Sequence, residues 1–362
     1  MDWGISVYAA TAADRNRSET YIRTAASLGC RRLFTSLHMP EVNYKETLND
    51  IVGLIRFAKA CGMSVTADIS PSTFTIVGDS SLRPDALAGL GVDFIRVDYG
   101  FGVEDIAEMS RSGSIGVQVN ASTLTRRELE RLAELGADLS RIGSFHNFYP
   151  RPHTGLSDDS YREKSLLMHE FGLKVSAFIP SASVNNRRPP LYEGLPTVEK
   201  HREMSASAAA KQLVYSGLTD TVYFGDSYAS IEELTEVAAI DPEVIELKVD
   251  LVEGVSPSEL QIVLAESHMN RWDAADYVIR SLNSRGYAQV GVPIEPFHTV
   301  ARDAYAITID NSGMLRYSGE LQICLTALPP DPRVNVVGYV CEEDRQFARM
   351  IKPGGKFRLK RK

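Results

Sequence analysis

Through its first two-thirds the chain repeats one rhythm: a short β-branched apolar run, a polar loop, then a stretch of helical period. The apolar runs predict strands at Gly4–Ala9, Arg32–Leu37, Ser64–Ile69, Phe94–Tyr99, Gly116–Asn120, Ser140–Phe145, Val175–Ile179 and Thr221–Gly225. Between them the period predicts helices at Arg15–Leu28, Tyr44–Ala60, Glu104–Ser112, Arg126–Leu135, Ser160–Phe171, Ala206–Tyr215 and Ile231–Ala238. Gly29, Gly62, Gly91, Gly113, Gly136, Gly172 and Gly217 stand where helix C-caps belong. Near-continuous apolar strands suit a parallel sheet covered on the outside. Roughly eight such units in one run predict an α/β fold, a closed (β/α)8 TIM barrel. A doubly wound open sheet would want a Gly-rich phosphate loop after an early strand, but the first run leads into Tyr8-Ala9-Ala10-Thr11.

Near Asp241-Pro242 the rhythm changes. Val244–Val252 alternates as a half-exposed strand, with Glu246, Lys248 and Asp250 between apolar residues. A helix is expected at Trp272–Asn283, then short strands at Tyr305–Ile309, Gly319–Leu325 and Val334–Val340. The expectation is a barrel over residues 1–240 and a small β-rich second domain over 241–362.

Composition narrows the class. Hydrophobic residues make up 44% and charged residues 24% of 362, ordinary for a globular protein. With 39 basic against 47 acidic residues the formal charge is -8, which gives no footing for nucleic acid. The one basic run, Lys352 to Lys362, is expected to be a solvated tail. Cys30, Cys61, Cys324 and Cys341 are scattered, as expected of reduced thiols. No signal peptide is read in MDWGISVYAATAADRNR, and no run has membrane-spanning length, so a cytoplasmic protein with no membrane partner is expected. A homo-oligomer stays open.

Chemistry in such a barrel sits where strands end. Those ends carry Ser6 and Tyr8; Ser36, His38 and Glu41; Asp68 and Ser70; Arg96, Asp98 and Tyr99; Gln118, Asn120 and Ser122; His146, Asn147, Tyr149 and Arg151; Phe178; and Asp226. Some suit helix caps instead: Ser70, Ser122 or Thr125, and Asp226 or Ser230. In SFHNFYPRP, Ser144 to Pro152, Pro150 and Pro152 stiffen the path on either side of Arg151, reading equally as a pocket rim or a turn covering core. The long segment Pro180 to Met204 carries Arg187, Arg188, Glu193, Glu199, His201 and Arg202. Guanidinium forks suit phosphate or carboxylate, so Arg187 or Arg188 and Glu193 are assigned to a site. Glu199 and Arg202 are expected to form a structural ion pair.

The carboxylates Asp68, Asp98 and Asp226, with Glu41 and Glu193 on loops, suit acid/base work at a glycosidic bond. His38 and His146 could converge with Asp68 on a divalent metal, as in a metal-dependent phosphosugar lyase or isomerase. No HxH or HExxH spacing supports that, and no cofactor is expected. A sugar-phosphate-binding protein without turnover is the third alternative. No GxSxG elbow is present.

Longer motifs carry a resemblance. FTSLHMPE (Phe34–Glu41), DISP (Asp68–Pro71), RVDYG (Arg96–Gly100), NAS (Asn120–Ser122), His146–Leu156, PLYEGLPTVEKHR (Pro190–Arg202) and Gly225-Asp226 resemble a bacterial 6-phospho-N-acetylmuramidase family of the MupG type. Ile309–Asn311, Arg316–Ile323 and Arg333–Gly338 are similar to its second domain. The resemblance implies a TIM barrel followed by a cyclophilin-like β domain. It also implies hydrolysis of the β-1,4 bond of N-acetylmuramic acid 6-phosphate–N-acetylglucosamine, a small-molecule phosphorylated disaccharide, in peptidoglycan recycling. His153 stands where an acidic residue is expected, and Arg188-Pro189-Pro190 replaces Arg-Gly-Pro. On that basis Asp68 and Asp98 are expected to flank the sugar bond, with Glu193 and Asp226 as alternates. Arg151, Arg187 or Arg188, and Arg316 are expected to hold the anionic groups. Tyr8, His38, Glu41, Tyr99, Asn120, His146, Asn147, Phe148 and Tyr149 complete the expected sugar site.

Overall fold

Eight short parallel strands close on themselves: β1 (Asp2–Ser6), β2 (Arg32–Ser36), β3 (Ser64–Ile69), β4 (Phe94–Val97), β5 (Gly116–Asn120), β6 (Ile142–Phe145), β7 (Val175–Ile179) and β8 (Thr221–Phe224). The computed structural model describes residues 1–8, 14–39, 42–78, 84–182, 187 and 191–362. Glu41 and Arg188 lie outside the described residues. The chain forms two compact units, Met1–Ile240 and Asp241–Lys362.

Register decides what faces the barrel interior. Ser36, Asp68, Arg96, Gln118 and Gly143 are successive partners from β2 to β6. Paired residues share a face and neighbours along a strand alternate, so this row points inward. The adjacent row, Thr35, Ala67, Ile95 and Val117, is fully buried on the outer face of the strands. The other side of the barrel is plugged by Phe34, Phe145, Phe178 and Tyr223, with Phe145 stacked on Phe178 at 4.5 Å. Gly4 admits this plug, because a Cβ there would lie 2.3 Å from the Tyr223 ring. The polar half of the interior thus belongs to β3, β4 and β5.

The helices Arg15–Ser27, Tyr44–Ala60, Val103–Arg111, Arg126–Glu134, Asp158–Glu170, Ala206–Ser216 and Ile231–Ala238 fall where the period places them. Gly217, at φ 70°, ends Ala206–Ser216 in the left-handed conformation that glycine adopts at little cost. Thr125 and Ser230 are side-chain caps, closing capping boxes with Glu128 and Glu233.

The second unit is a mixed seven-stranded sheet. Its strands are β9 (Val244–Leu251), β10 (His268–Met269), β11 (Val278–Arg280), β12 (Ala306–Asp310), β13 (Leu321–Cys324), β14 (Val334–Val340) and β15 (Lys356–Arg361), in the order β10-β15-β9-β14-β12-β13-β11. Two expectations are corrected here. No helix spans Trp272–Asn283: Val278–Arg280 pairs with β13 and buries Ile279, while the helix forms earlier, at Pro257–Val263, under a Ser256/Glu259 capping box. Sheet pairing overrides a weak local helical period. The basic tail is not a solvated end either. Lys356–Arg361 runs parallel to β9, burying Phe357 and Leu359, with Arg358 and Lys360 paired to Glu246. Alternation within the charge run was the missed signal.

Asp310, buried at the end of β12, has its carboxyl pushed up to about 7, first by burial and then by the neighbouring Glu320 carboxylate. A carboxyl that binds its proton more tightly folded than unfolded loses stabilisation as pH rises from its ordinary 3.8 through 7. Denaturant titrations across that window should show the Asp310→Asn chain gaining on the parent as pH increases. A constant difference between the two would contradict the raised pKa.

Candidate active site

Arg96 is the centre of the polar half of the barrel mouth. It sits on an otherwise apolar strand, at an inward position, and is 3% exposed. Its Nη1 donates to Asp68 Oδ1 at 2.7 Å and to Asp98 Oδ1 at 3.2 Å, and its Nη2 donates to Asn147 Oδ1. A fixed guanidinium fork can serve three acceptors in one plane, which an ammonium cannot. Asn120 Nδ2 adds bonds to Asn147 Oδ1 at 2.9 Å and to Asp98 Oδ1 at 3.4 Å. The ends of β3, β4, β5 and β6 are thereby joined in one network.

The two acids occupy different surroundings. Asp68 is buried, with Oδ1 on Arg96 and Oδ2 3.1 Å from His38 Nε2, a close approach off the angle of a hydrogen bond. Burial alone would raise its pKa, yet the Arg96 charge and His38 outweigh burial and hold it below 3.8. Asp68 is therefore ionised at neutral pH. Asp98 lies at the rim, its side chain 29% exposed, and its Oδ2 makes no hydrogen bond among the described residues. Tyr99, 61% exposed, meets the His38 ring edge-on at 5.4 Å.

His38, Asp68 and Asp98 offer ligand atoms within 4.8 Å of one another, near enough for a cation. Arg96 Nη1 already bridges both carboxylates, so a divalent ion would have to settle beside a buried positive charge. The set expected from sequence, with His146, is not brought together.

His146 is fully buried, between Ser122 Oγ at 3.1 Å and Ser165 Oγ at 3.0 Å, with Tyr161 at 4.8 Å. Burial, then Lys164 and Arg96, pushes its pKa down to about 3, so it is a neutral structural imidazole. Ser122, in turn, accepts from the Asn147 N–H and aims that residue at Arg96. Tyr8 is also fully buried, its hydroxyl donating to Gly225 O at 2.7 Å. Asp226 is buried as well, its Oδ2 accepting from the N–H groups of Ser181 and Leu195. These two bonds tie the loop after β7 to the strand that precedes Asp226.

Around the rim, Glu193 is exposed, and its main-chain carbonyl accepts from Arg202. Tyr149 is half-buried and held by its own main chain, to Pro196 O and from Arg202. Arg151 is exposed, its guanidinium unpaired among the described residues, while its carbonyl accepts from Thr154 and Arg202. Arg187 donates from Nε to Ser181 O at 3.3 Å. Arg316 belongs to the second unit, where its guanidinium lies 4.9 Å from the Tyr317 ring centre.

The sequence puts Arg96 among the polar strand-end residues but not in the expected site, although an arginine at an inward position of Phe94-Ile95-Arg96-Val97 was the available signal. The Glu199–Arg202 pair is structural, as expected, at 2.7 Å. The Arg202 side chain, then the His153 and Gly155 N–H groups against some burial, brings Glu199 down to about 2. Arg202 also donates to four main-chain carbonyls, of Tyr149, Arg151, Glu193 and Gly194, binding two rim loops together.

Comparison with known proteins places the fold and the family. An uncharacterized B. cereus protein superimposes with a TM-score of 0.89 at 30% identity over 99% of each chain. A conserved protein of unknown function from an Enterococcus faecalis locus does so with a TM-score of 0.74 at 33% identity, over 100% of this chain and 97% of that one. No curated protein matches the chain. Among the described residues no helix is long and apolar enough to cross a membrane. Residues 3–239 match the 6-phospho-N-acetylmuramidase N-terminal family and residues 245–360 the C-terminal one, so this chain belongs to the 6-phospho-N-acetylmuramidase family and is a glycosidase.

Proposed function

We propose that the barrel hydrolyses the β-1,4 bond between N-acetylmuramic acid 6-phosphate and N-acetylglucosamine, a step of peptidoglycan recycling, with Asp98 as acid/base and Asp68 as the ionised partner. The observation that carries this is the Arg96 guanidinium shared by the two carboxylates. Asp98 keeps an oxygen free at the rim, from which a proton can pass to the leaving oxygen and later be taken from water. Asp68, held ionised, opposes the positive charge that develops at the anomeric carbon or steadies the substrate's acetamido group. Ligand atoms within 4.8 Å fall short of the ~6.5–9.5 Å an inverting pair needs to seat a water, which favours retention.

The 6-phosphate and lactyl carboxylate need cations that are not already neutralised. Arg151, exposed and unpaired among the described residues, and Arg187 support that role from the barrel. Arg188 is assigned to it on sequence grounds alone. Tyr99 presents a ring face at the rim that suits a sugar.

Asp98→Asn should lower kcat by roughly 10²–10⁴-fold while leaving the circular dichroism spectrum and melting temperature near those of the parent. Near-normal turnover would remove Asp98 from the mechanism. Incubation with phosphorylated and unphosphorylated muramyl disaccharide, followed by product analysis and early-time NMR of the anomer, should show cleavage of the phosphorylated form alone with retained configuration. Equal cleavage of both forms would overturn the substrate, and an inverted product would overturn the paired-carboxylate roles.

A further inference from the structure

At the opposite end of the barrel, where the strands begin, lies a cavity of about 610 Å³ lined in part by Arg32, Ser64, Gln118, Arg141, Lys174 and Ser176. This is within the size range of small-molecule sites. Its polar groups are unmatched in a specific way. Gln118 is 9% exposed, yet its carboxamide makes no hydrogen bond with any described residue, and its Oε1 is sealed from solvent. Ser176, 5% exposed, pairs with Phe145 on the inward row, and its hydroxyl is likewise unpartnered among the described residues. Buried polar groups are nearly always satisfied, so the unpartnered Gln118 carboxamide, with the Ser176 hydroxyl open to the same cavity, calls for an occupant that supplies partners.

The charge on the lining points to the sign of that occupant. Arg32, Arg141 and Lys174 face a single acid, Asp93, which is already held by Lys59 at 2.5 Å and by the Val65 N–H at 2.8 Å. Arg32 is paired with Asp2, and Arg141 is spent on the carbonyls of Gly113 and Ile115. Lys174 is exposed and has no carboxylate partner among the described residues. A cationic rim on a chain of net charge -8 is a local departure that would draw an anion inward.

We propose that this chamber binds a small hydroxylated anion of monosaccharide size, the chemistry shared by sugar phosphates and sugar acids. Its anionic group meets Lys174 at the rim, and its hydroxyls meet Gln118, Ser176 and Ser64 inside. The site stands independently of the catalytic assignment, being at the other end of the strands.

Calorimetric titration of the full chain tests it, with glucose 6-phosphate, gluconate, glucose and inorganic phosphate as probes. Glucose 6-phosphate or gluconate should bind, and whichever binds identifies the anionic group. Lys174→Glu and Gln118→Leu should each weaken that binding by about tenfold or more, and Arg151→Ala, at the mouth, should leave it unchanged. The exposed Lys174 keeps the test valid if Gln118→Leu fails to fold. Binding lost in Arg151→Ala but kept in Lys174→Glu would assign the ligand to the mouth and overturn the proposal. Equal affinity for glucose would remove the anion requirement, equal affinity for inorganic phosphate would remove the hydroxyl contacts, and no binding by any probe would leave a water-filled cavity only; each of these also overturns it.

Discussion

A buried guanidinium must be matched by acceptors that the fold cannot move, and Arg96 imposes that condition on the barrel mouth. Taken from water, its charge would cost several kcal/mol uncompensated. Burial lowers its hold on its proton, yet Asp68 and then Asp98 more than restore it, so it stays charged. The compensation comes from three strand ends at once, Asp68 from β3, Asp98 beyond β4 and Asn147 beyond β6, while Asn120 from β5 steadies two of these acceptors by donating to Asn147 and Asp98. Removing Asp68, the buried acid, leaves the arginine charge partly unmet, so the same interaction that sets the site also holds those strand ends together.

The sequence made the barrel legible because each element carries its own signal: apolar runs of strand length, a 3.6 period between them, and glycines that end the helices with positive φ. The location of Asp68, Asp98, Asn120 and Asn147 at one rim followed from topology. What each rim residue does could not, because burial and hydrogen-bond direction are set by packing across the chain. His146 illustrates the limit. It follows β6 as Asn147 does, but alternation turns it outward between Ser122 and Ser165, while its neighbour turns inward to Arg96. Asp226 and Tyr8 are drawn into loop and core contacts for the same reason. In the second unit the local helical period at Trp272–Asn283 and the charge of the tail both yielded to sheet pairing.

Rim and base of the barrel differ in how their polar groups are settled. At the rim, Arg202 collects four carbonyls and Glu199, and Arg96 collects two acids and an amide, so the loops are held before any ligand arrives. Such preorganisation is what makes electrostatic stabilisation of a developing charge effective. At the base, Gln118 and Ser176 have no side-chain partner among the described residues. The first arrangement suits chemistry, and the second suits simple binding.

The central claim is that Asp68 is kept ionised by Arg96, leaving Asp98 to exchange protons with substrate. Carboxyl ¹³C NMR of the full chain labelled at aspartate, with Asp68 assigned through the Asp68→Asn variant, measures this directly. Asp68 is expected to titrate below 3.8, its ordinary value. Titration at or above that value would show that burial prevails over the guanidinium, and the division of roles between the two acids would fall.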